Sequence, residues 1–189
     1  MLARPDLAEQ GLEGLVRSRS YRPLSAMHGA LPVVDITRTV DPQSDRINQL
    51  LFGEAFDVLD REGDRVWGRA RRDGTVGWIN RWALVSGAPL ATHRVASVSA
   101  VLPLNALVHH EFSGVAAEDL KPVGDLDTDP VAIAEALLGT PHALGARSSR
   151  TTDCSGLVQQ ALYACGRAGP RHSDQQAGLG EAIARSELA

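Results

Sequence analysis

The stretch Asp153-Cys154-Ser155-Gly156 opens the amphipathic run CSGLVQQALYACG and puts one of the chain's two cysteines at the first turn of a helix. A thiol there sits among free backbone N–H groups and the positive end of the helix dipole, both of which favour an anion. The thiolate is the reactive form of cysteine, and such a position lowers its pKa. Cys154 is therefore a candidate nucleophile, with a small buried residue as the alternative reading, and Asp153 suits the N-cap. Leu157, Val158, Ala161, Leu162 and Cys165 fall on one apolar stripe at helical spacing, so Cys165 is expected in the core. Cys154 lies 11 residues before Cys165 and on nearly the same face, so its side chain is expected to point toward the body of the domain. On one helix the two thiols stand roughly 16 Å apart, whereas a disulfide needs Cα atoms within about 7 Å. No Cys-x-x-Cys or nearby His spacing marks a zinc site, and no cofactor is expected.

Several elements must position that helix. Asp129 reads as an N-cap with Pro130 at N1, starting a helix through VAIAEALLG that Gly139 can close. The loop TPHALGARSSRT then leads to Asp153. Far upstream, residues 31–86 alternate like strands, with turn signals at Gly63-Asp64 and Asp73-Gly74. Five or six short strands are expected between Val33 and Val85, as a small β-barrel. SGAPLAT at 86–92 is a linker, and residues 93–123 read as a second, abbreviated β module, too short for its own core and able to pack on a neighbour. His109 and His110 are adjacent, so on a strand they point to opposite faces and receive no role. Residues 1–30 read as a leader with a short helix from Asp6 to about Arg17, then an irregular stretch holding Pro23 and Gly29. Trp67, Trp78 and Trp82 are either core packing or an aromatic wall against a ligand.

Composition narrows the function classes. With 189 residues, 43% hydrophobic and 22% charged, the chain is that of an ordinary soluble protein with room for real cores. A net charge of -4 and the lack of a basic stripe argue against nucleic acid as a partner. No apolar run approaches the ~20 residues of a membrane span, so no membrane partner is expected. Asp6, Glu9 and Glu13 stand where a signal peptide would have its apolar core. A reducing, cytoplasmic location is the expectation, or the cell envelope if a further N-terminal segment belongs to the protein.

The run DCSGLVQQAL…G…PRHSDQQ, residues 153–176, resembles the nucleophile region of the NlpC-type cysteine peptidases, papain-like enzymes that cut bacterial peptidoglycan stem peptides. The matching residues are Asp153, Cys154, Ser155 and Gly156, then Pro170, Arg171, Ser173 and Gln176. Leu51-x-Gly53 leading into FDVLD, Trp67, and DGTVGWI at 73–79 resemble the bacterial SH3-like domains that accompany such enzymes. The fold so implied is α+β: small SH3-like β-barrel(s) at 31–86 and 93–123, followed at 127–189 by the helical N-terminal half of a papain-like cysteine peptidase domain. The resemblance implies hydrolysis of the amide between γ-D-glutamate and a diamino acid through a Cys154 acyl-enzyme, with no metal and no cofactor. Asp153 and Ser155 match positions that help bind the stem peptide and its free amine. His142 stands where the family's cleft tyrosine would be. Arg171 and Ser173 either order their loop or touch substrate, and both are carried as candidate binding residues.

The sequence departs from that pattern at His142, at Leu144 where an aromatic is usual, and at Ala146 where a second glycine is usual. The family's base histidine lies about 50 residues beyond the cysteine, and this sequence stops at Ala189, 35 residues after Cys154. His172 is the one histidine after Cys154 and a weak substitute for the base. A truncated or fragmentary catalytic domain is expected, its apolar helix face covered by the β modules, a second copy or a missing segment. The partners implied are peptidoglycan stem peptides. Two alternatives stay open: a non-catalytic cell-wall-peptide-binding protein, and an acyltransferase on the same fold.

Overall fold

The computed structural model describes residues 1–109, 111 and 114–187, so His110 and what was read from it lie outside the described residues. Twelve strands and three α-helices are described: β1 Ala8–Glu9, β2 Tyr21–Arg22, β3 Ser25–Gly29, β4 Val33–Thr37, β5 Arg46–Leu51, β6 Ala55–Glu62, β7 Arg65–Ala70, β8 Val76–Asn80, β9 Leu84–Ser86, β10 His93–Val95, β11 Leu107–Val108, β12 Leu120–Pro122, α1 Pro130–Ala136, α2 Cys154–Ala164 and α3 Ser173–Gln176. Seven strands form one sheet in the order β5-β4-β8-β7-β6-β3-β9, and its adjacent pairs are antiparallel. Alternating apolar residues drive it: Ile36, Leu50, Phe56, Val66 and Ile79 meet on one side in a buried cluster. The turns at Gly63-Asp64 and Asp73-Gly74 join β6 to β7 and β7 to β8.

The N-terminal residues are part of this body and are not a helical leader. β1 pairs in parallel with β2, a short 3-10 turn at Gln10–Leu12 replaces the expected helix, and Ser25–Gly29 is a strand of the large sheet. Pro5, Gly11 and Gly14 weaken a helix here, and Leu2 and Leu7 gain more by covering Leu59, Trp67 and Trp78. The Arg4 guanidinium lies 4.4 Å above the Trp67 ring and pairs with Asp60. Trp67 and Trp78 are thus core, whereas Trp82 is 67% exposed.

A three-stranded sheet, β11-β10-β12, follows. It holds a small apolar cluster of Val95, Leu102, Ala106 and Val108, more of a core than expected, and packs as expected on a neighbour through Phe52 in the turn after β5. Next, α1 is capped by Asp129, whose carboxylate accepts from the Val131 and Ala132 N–H groups.

The helix α2 is buried through a different face from the one its hydropathy suggests. Ser155, Gly156, Gln159, Gln160, Ala161, Tyr163 and Ala164 are buried; of the predicted stripe Ala161 is therefore inside, while Val158 is 40% exposed and Leu157, Leu162 and Cys165 are only half-buried. The cause lies in what α2 packs against, a polar seam with the large sheet. Gln159 Nε2 donates to Asp73 at 3.2 Å, to Tyr163 Oη at 2.9 Å and to the Gly169 carbonyl at 2.7 Å. Gln160 Nε2 donates to the Arg147 carbonyl at 2.7 Å, and Asn105 donates to Gln160 Oε1 at 2.6 Å.

Candidate active site

The site is assembled at the start of α2. Thr152 and Asp153 return antiparallel to residues 146–148, with the Asp153 N–H bonded to the Ala146 carbonyl at 3.1 Å. Gly156 fits because any Cβ there would run into that same carbonyl oxygen. Gly145 has φ +73° and sits directly on the Arg46 carbonyl of β5, so only glycine suits it.

Cys154 is the first residue of α2 and is exposed, so its side chain faces solvent and not, as expected, the body of the domain. Of the first-turn N–H groups, Gly156's is taken by the cap and Leu157's begins the helix ladder, which leaves those of Cys154 and Ser155 without an intrahelical acceptor. Cys165 is half-buried. Burial, reinforced by Asp127 and Asp129, pushes its thiol above the ordinary range.

Asp153 is a hub. Its carboxylate accepts five hydrogen bonds: from Gly145 N, Gly156 N, Ser155 Oγ and both terminal nitrogens of Arg171, the shortest two at 2.7 Å. Burial alone would raise its pKa, but the Arg171 guanidinium and the two backbone N–H groups hold it below the usual carboxylate range. Arg171 also donates to Ser155 Oγ at 2.8 Å and is 3% exposed. Gln176 closes the arrangement by donating to the carbonyls of Ser155 and Pro170. Asp153, Ser155 and Arg171 are therefore brought together as one buried cluster directly behind Cys154.

Ser173 and His172 are exposed and line, with Asp153, Ser155 and Arg171, a recess of about 300 Å³. Its other wall comes from the large sheet, through Arg38, Arg46 and Ile47. His142 is exposed in the loop before α2, where its backbone bridges to Thr152. Among the described residues no group of three or more His, Cys, Asp or Glu side chains comes together as a metal cage would need. No described helix is long and apolar enough to cross a membrane.

The sequence reading missed the residues that tie this site to the sheet. Arg147 is fully buried and donates to both oxygens of Glu54 and to the Gln49 carbonyl. Arg72 donates to the same Glu54 at 2.9 Å and lies 4.3 Å over the Tyr163 ring. Burial would raise the Glu54 pKa, yet Arg147 and Arg72 hold it below the usual range. Nothing in a lone Glu or Arg marks it as half of a pair formed 93 positions apart.

Comparison with known proteins places these features. Residues 139–189 match the NlpC/P60 family model, and residues 36–84 match that of the bacterial dipeptidyl-peptidase SH3 domain. A crystal structure of an NlpC/P60 family protein from Bacillus cereus ATCC 10987 aligns with a TM-score of 0.75 and 16% identity, covering 87% of this chain and 80% of that one. NlpC2 from Trichomonas vaginalis aligns at a TM-score of 0.40 and 16% identity, over 90% of this chain and 77% of that one. No curated protein matches.

Proposed function

We propose that this chain, which carries an NlpC/P60 domain preceded by a bacterial SH3 domain, is a cysteine peptidase that hydrolyses γ-D-glutamyl–diamino acid amides of cell-wall stem peptides. The observation that carries this reading is the exposed Cys154 thiol on the first turn of α2, backed by the buried Asp153–Ser155–Arg171 cluster.

The chemistry follows from that placement. The Cys154 sulfur attacks the amide carbonyl carbon and its π electrons move to oxygen. The backbone N–H groups of Cys154 and Ser155, unused by the helix, are the natural donors to that oxyanion. Collapse breaks the C–N bond, the proton given up by the Cys154 thiol reaches the leaving nitrogen through solvent so that the diamino acid departs as an amine, and a thioester remains on Cys154. Water then releases the γ-glutamyl acid and restores the thiol. Asp153 and Arg171 hold the turn on which these groups ride and take no part in proton transfer in this scheme.

The test is direct. Incubation with L-Ala-γ-D-Glu-diaminopimelate, followed by liquid chromatography and mass spectrometry, should yield free diaminopimelate. The Cys154→Ala variant should lose on the order of a thousandfold or more in rate. Cleavage that survives in Cys154→Ala would overturn the assignment.

A further inference from the structure

Gln159 is fully buried on α2, yet its amide is bonded on one side only. Nε2 faces the Gly169 carbonyl at 2.7 Å, the Tyr163 hydroxyl at 2.9 Å and Asp73 Oδ2 at 3.2 Å. Oε1 is buried and meets no donor among the described residues. A buried acceptor without a donor costs stability. Turning the amide over brings no relief, because Oε1 would then face a carbonyl and a carboxylate, neither with a proton to give. Burial alone would raise the Asp73 pKa, but Arg147 and the bonds from Thr75 and Asn48 hold it below the usual range, so it stays a charged acceptor. What Gln159 supplies here is therefore its N–H groups, since an apolar side chain would fill the same space without stranding an oxygen.

The acceptors of those N–H groups lie on separate parts of the chain. Asp73 is in the turn between β7 and β8, where Asn48 Nδ2 donates to it at 2.7 Å and the Thr75 N–H at 3.0 Å. Gly169 begins the strap Gly169-Pro170-Arg171. Its carbonyl accepts a second bond, at 2.8 Å, from Tyr163 Oη, one helical turn along from Gln159. The proline ring fixes φ at Pro170, and Gln176 donates to the Pro170 carbonyl at 2.8 Å. Restrained backbone thus leads from Gly169 to Arg171, whose guanidinium grips Asp153 and Ser155, the residues on either side of Cys154.

We propose that Gln159 is a positioning residue for the nucleophile. By tying the β7–β8 turn to Gly169 it sets where Arg171 stands, and Arg171 sets the turn that carries Cys154. Asp73, within the residues that match the SH3 model, is then part of the apparatus that aims a thiol in the residues that match the NlpC/P60 model. The proposal rests on the peptidase reading and concerns the geometry of its reacting groups.

The experiment measures kcat and KM separately for the full chain on L-Ala-γ-D-Glu-diaminopimelate, with rates referred to folded protein by circular dichroism. Gln159→Met keeps the volume and removes the donors; Gln159→Glu keeps the shape and sets an oxygen against Gly169 and Asp73. Each should lower kcat about ten- to a hundredfold with KM little changed, the scale of a reacting group displaced by up to about 1 Å. Tyr163→Phe, which loses one hydroxyl and keeps the ring, should lower kcat by a smaller factor. In an Arg171→Lys background, Gln159→Met should lower kcat little further, because the two residues act in one chain of contacts. Wild-type kcat in the folded Gln159 variants, or full additivity with Arg171→Lys, would overturn the proposal and leave the peptidase reading intact. If the Gln159 variants do not fold, wild-type kcat in Tyr163→Phe overturns it. No cleavage by the wild-type chain would overturn both.

Discussion

Asp153 shows how much one side chain can hold. It caps α2, fixes Gly145, orients Ser155 and neutralises Arg171, so the position of Cys154 depends on it. Both members of the Asp153–Arg171 pair are nearly buried, with side-chain exposures of 9% and 4%. Removing one partner strands the other charge, and Asp153→Ala should cost about 3–5 kcal/mol in urea denaturation. Arg171→Ala should cost a similar amount. The two thiols should also behave differently. Cys165, half-buried with its pKa pushed up by burial, should alkylate slowly at neutral pH, while the exposed Cys154 should label first. Peptide mass spectrometry after timed iodoacetamide treatment reads both rates. The Asp-Cys-Ser-Gly run and the N-cap role of Asp153 concern groups close in sequence, whereas the bond from Gln176 to the Ser155 carbonyl spans 21 positions. The ion pair between Asp153 and Arg171 spans 18 positions, and only the fold reveals it.

At the scale of elements, α2 is instructive. Its apolar residues form a stripe at helical spacing, and periodicity alone puts that stripe inward. Of that stripe the helix fully buries Ala161, alongside Gln159, Gln160 and Tyr163, because the elements facing it supply Asp73, Asn105 and the carbonyls of Arg147 and Gly169. Hydropathy ranks side chains as if no partner were present, so a fully bonded glutamine looks misplaced until its partners are known. Gln160→Leu should leave Asn105 Nδ2 short of an acceptor and the Arg147 carbonyl short of a donor, at about 1–3 kcal/mol. Val158→Ser, on the half-open face, should cost no more than roughly 0.5 kcal/mol. Chemical denaturation of the two variants decides which face is the buried one. The strands between Val33 and Ser86 were legible because alternation and Asp-Gly or Gly-Asp turns are local. The N-terminal segment was not, since its burial depends on two tryptophans some 60 and 70 positions away.

At the scale of the molecule, the large sheet and the segment bearing Cys154 are one unit. Arg147, Glu54, Arg72 and Gln49 form the buried lock between them, and Asp35, Arg46 and Trp82 of the sheet side line a cavity beside it. Glu54 and Asp153 both have pKa values depressed in the folded state. Their contribution to stability is complete above the unfolded carboxylate values near 4 and is lost as pH falls through the lower folded values. Thermal midpoints should therefore stay level from about pH 7 to 5 and drop below about pH 4. Glu54→Gln should lower the plateau and shrink that acid drop. The family resemblance was legible because its residues cluster in short runs, whereas the lock joins residues distant in sequence. The central claim is that Cys154 is the nucleophile of a cell-wall-peptide site. It is tested most directly by following iodoacetamide labelling of Cys154 with increasing L-Ala-γ-D-Glu-diaminopimelate. The account predicts that the peptide slows labelling of Cys154 in a saturable way and leaves Cys165 untouched; labelling of Cys154 indifferent to the peptide would contradict it.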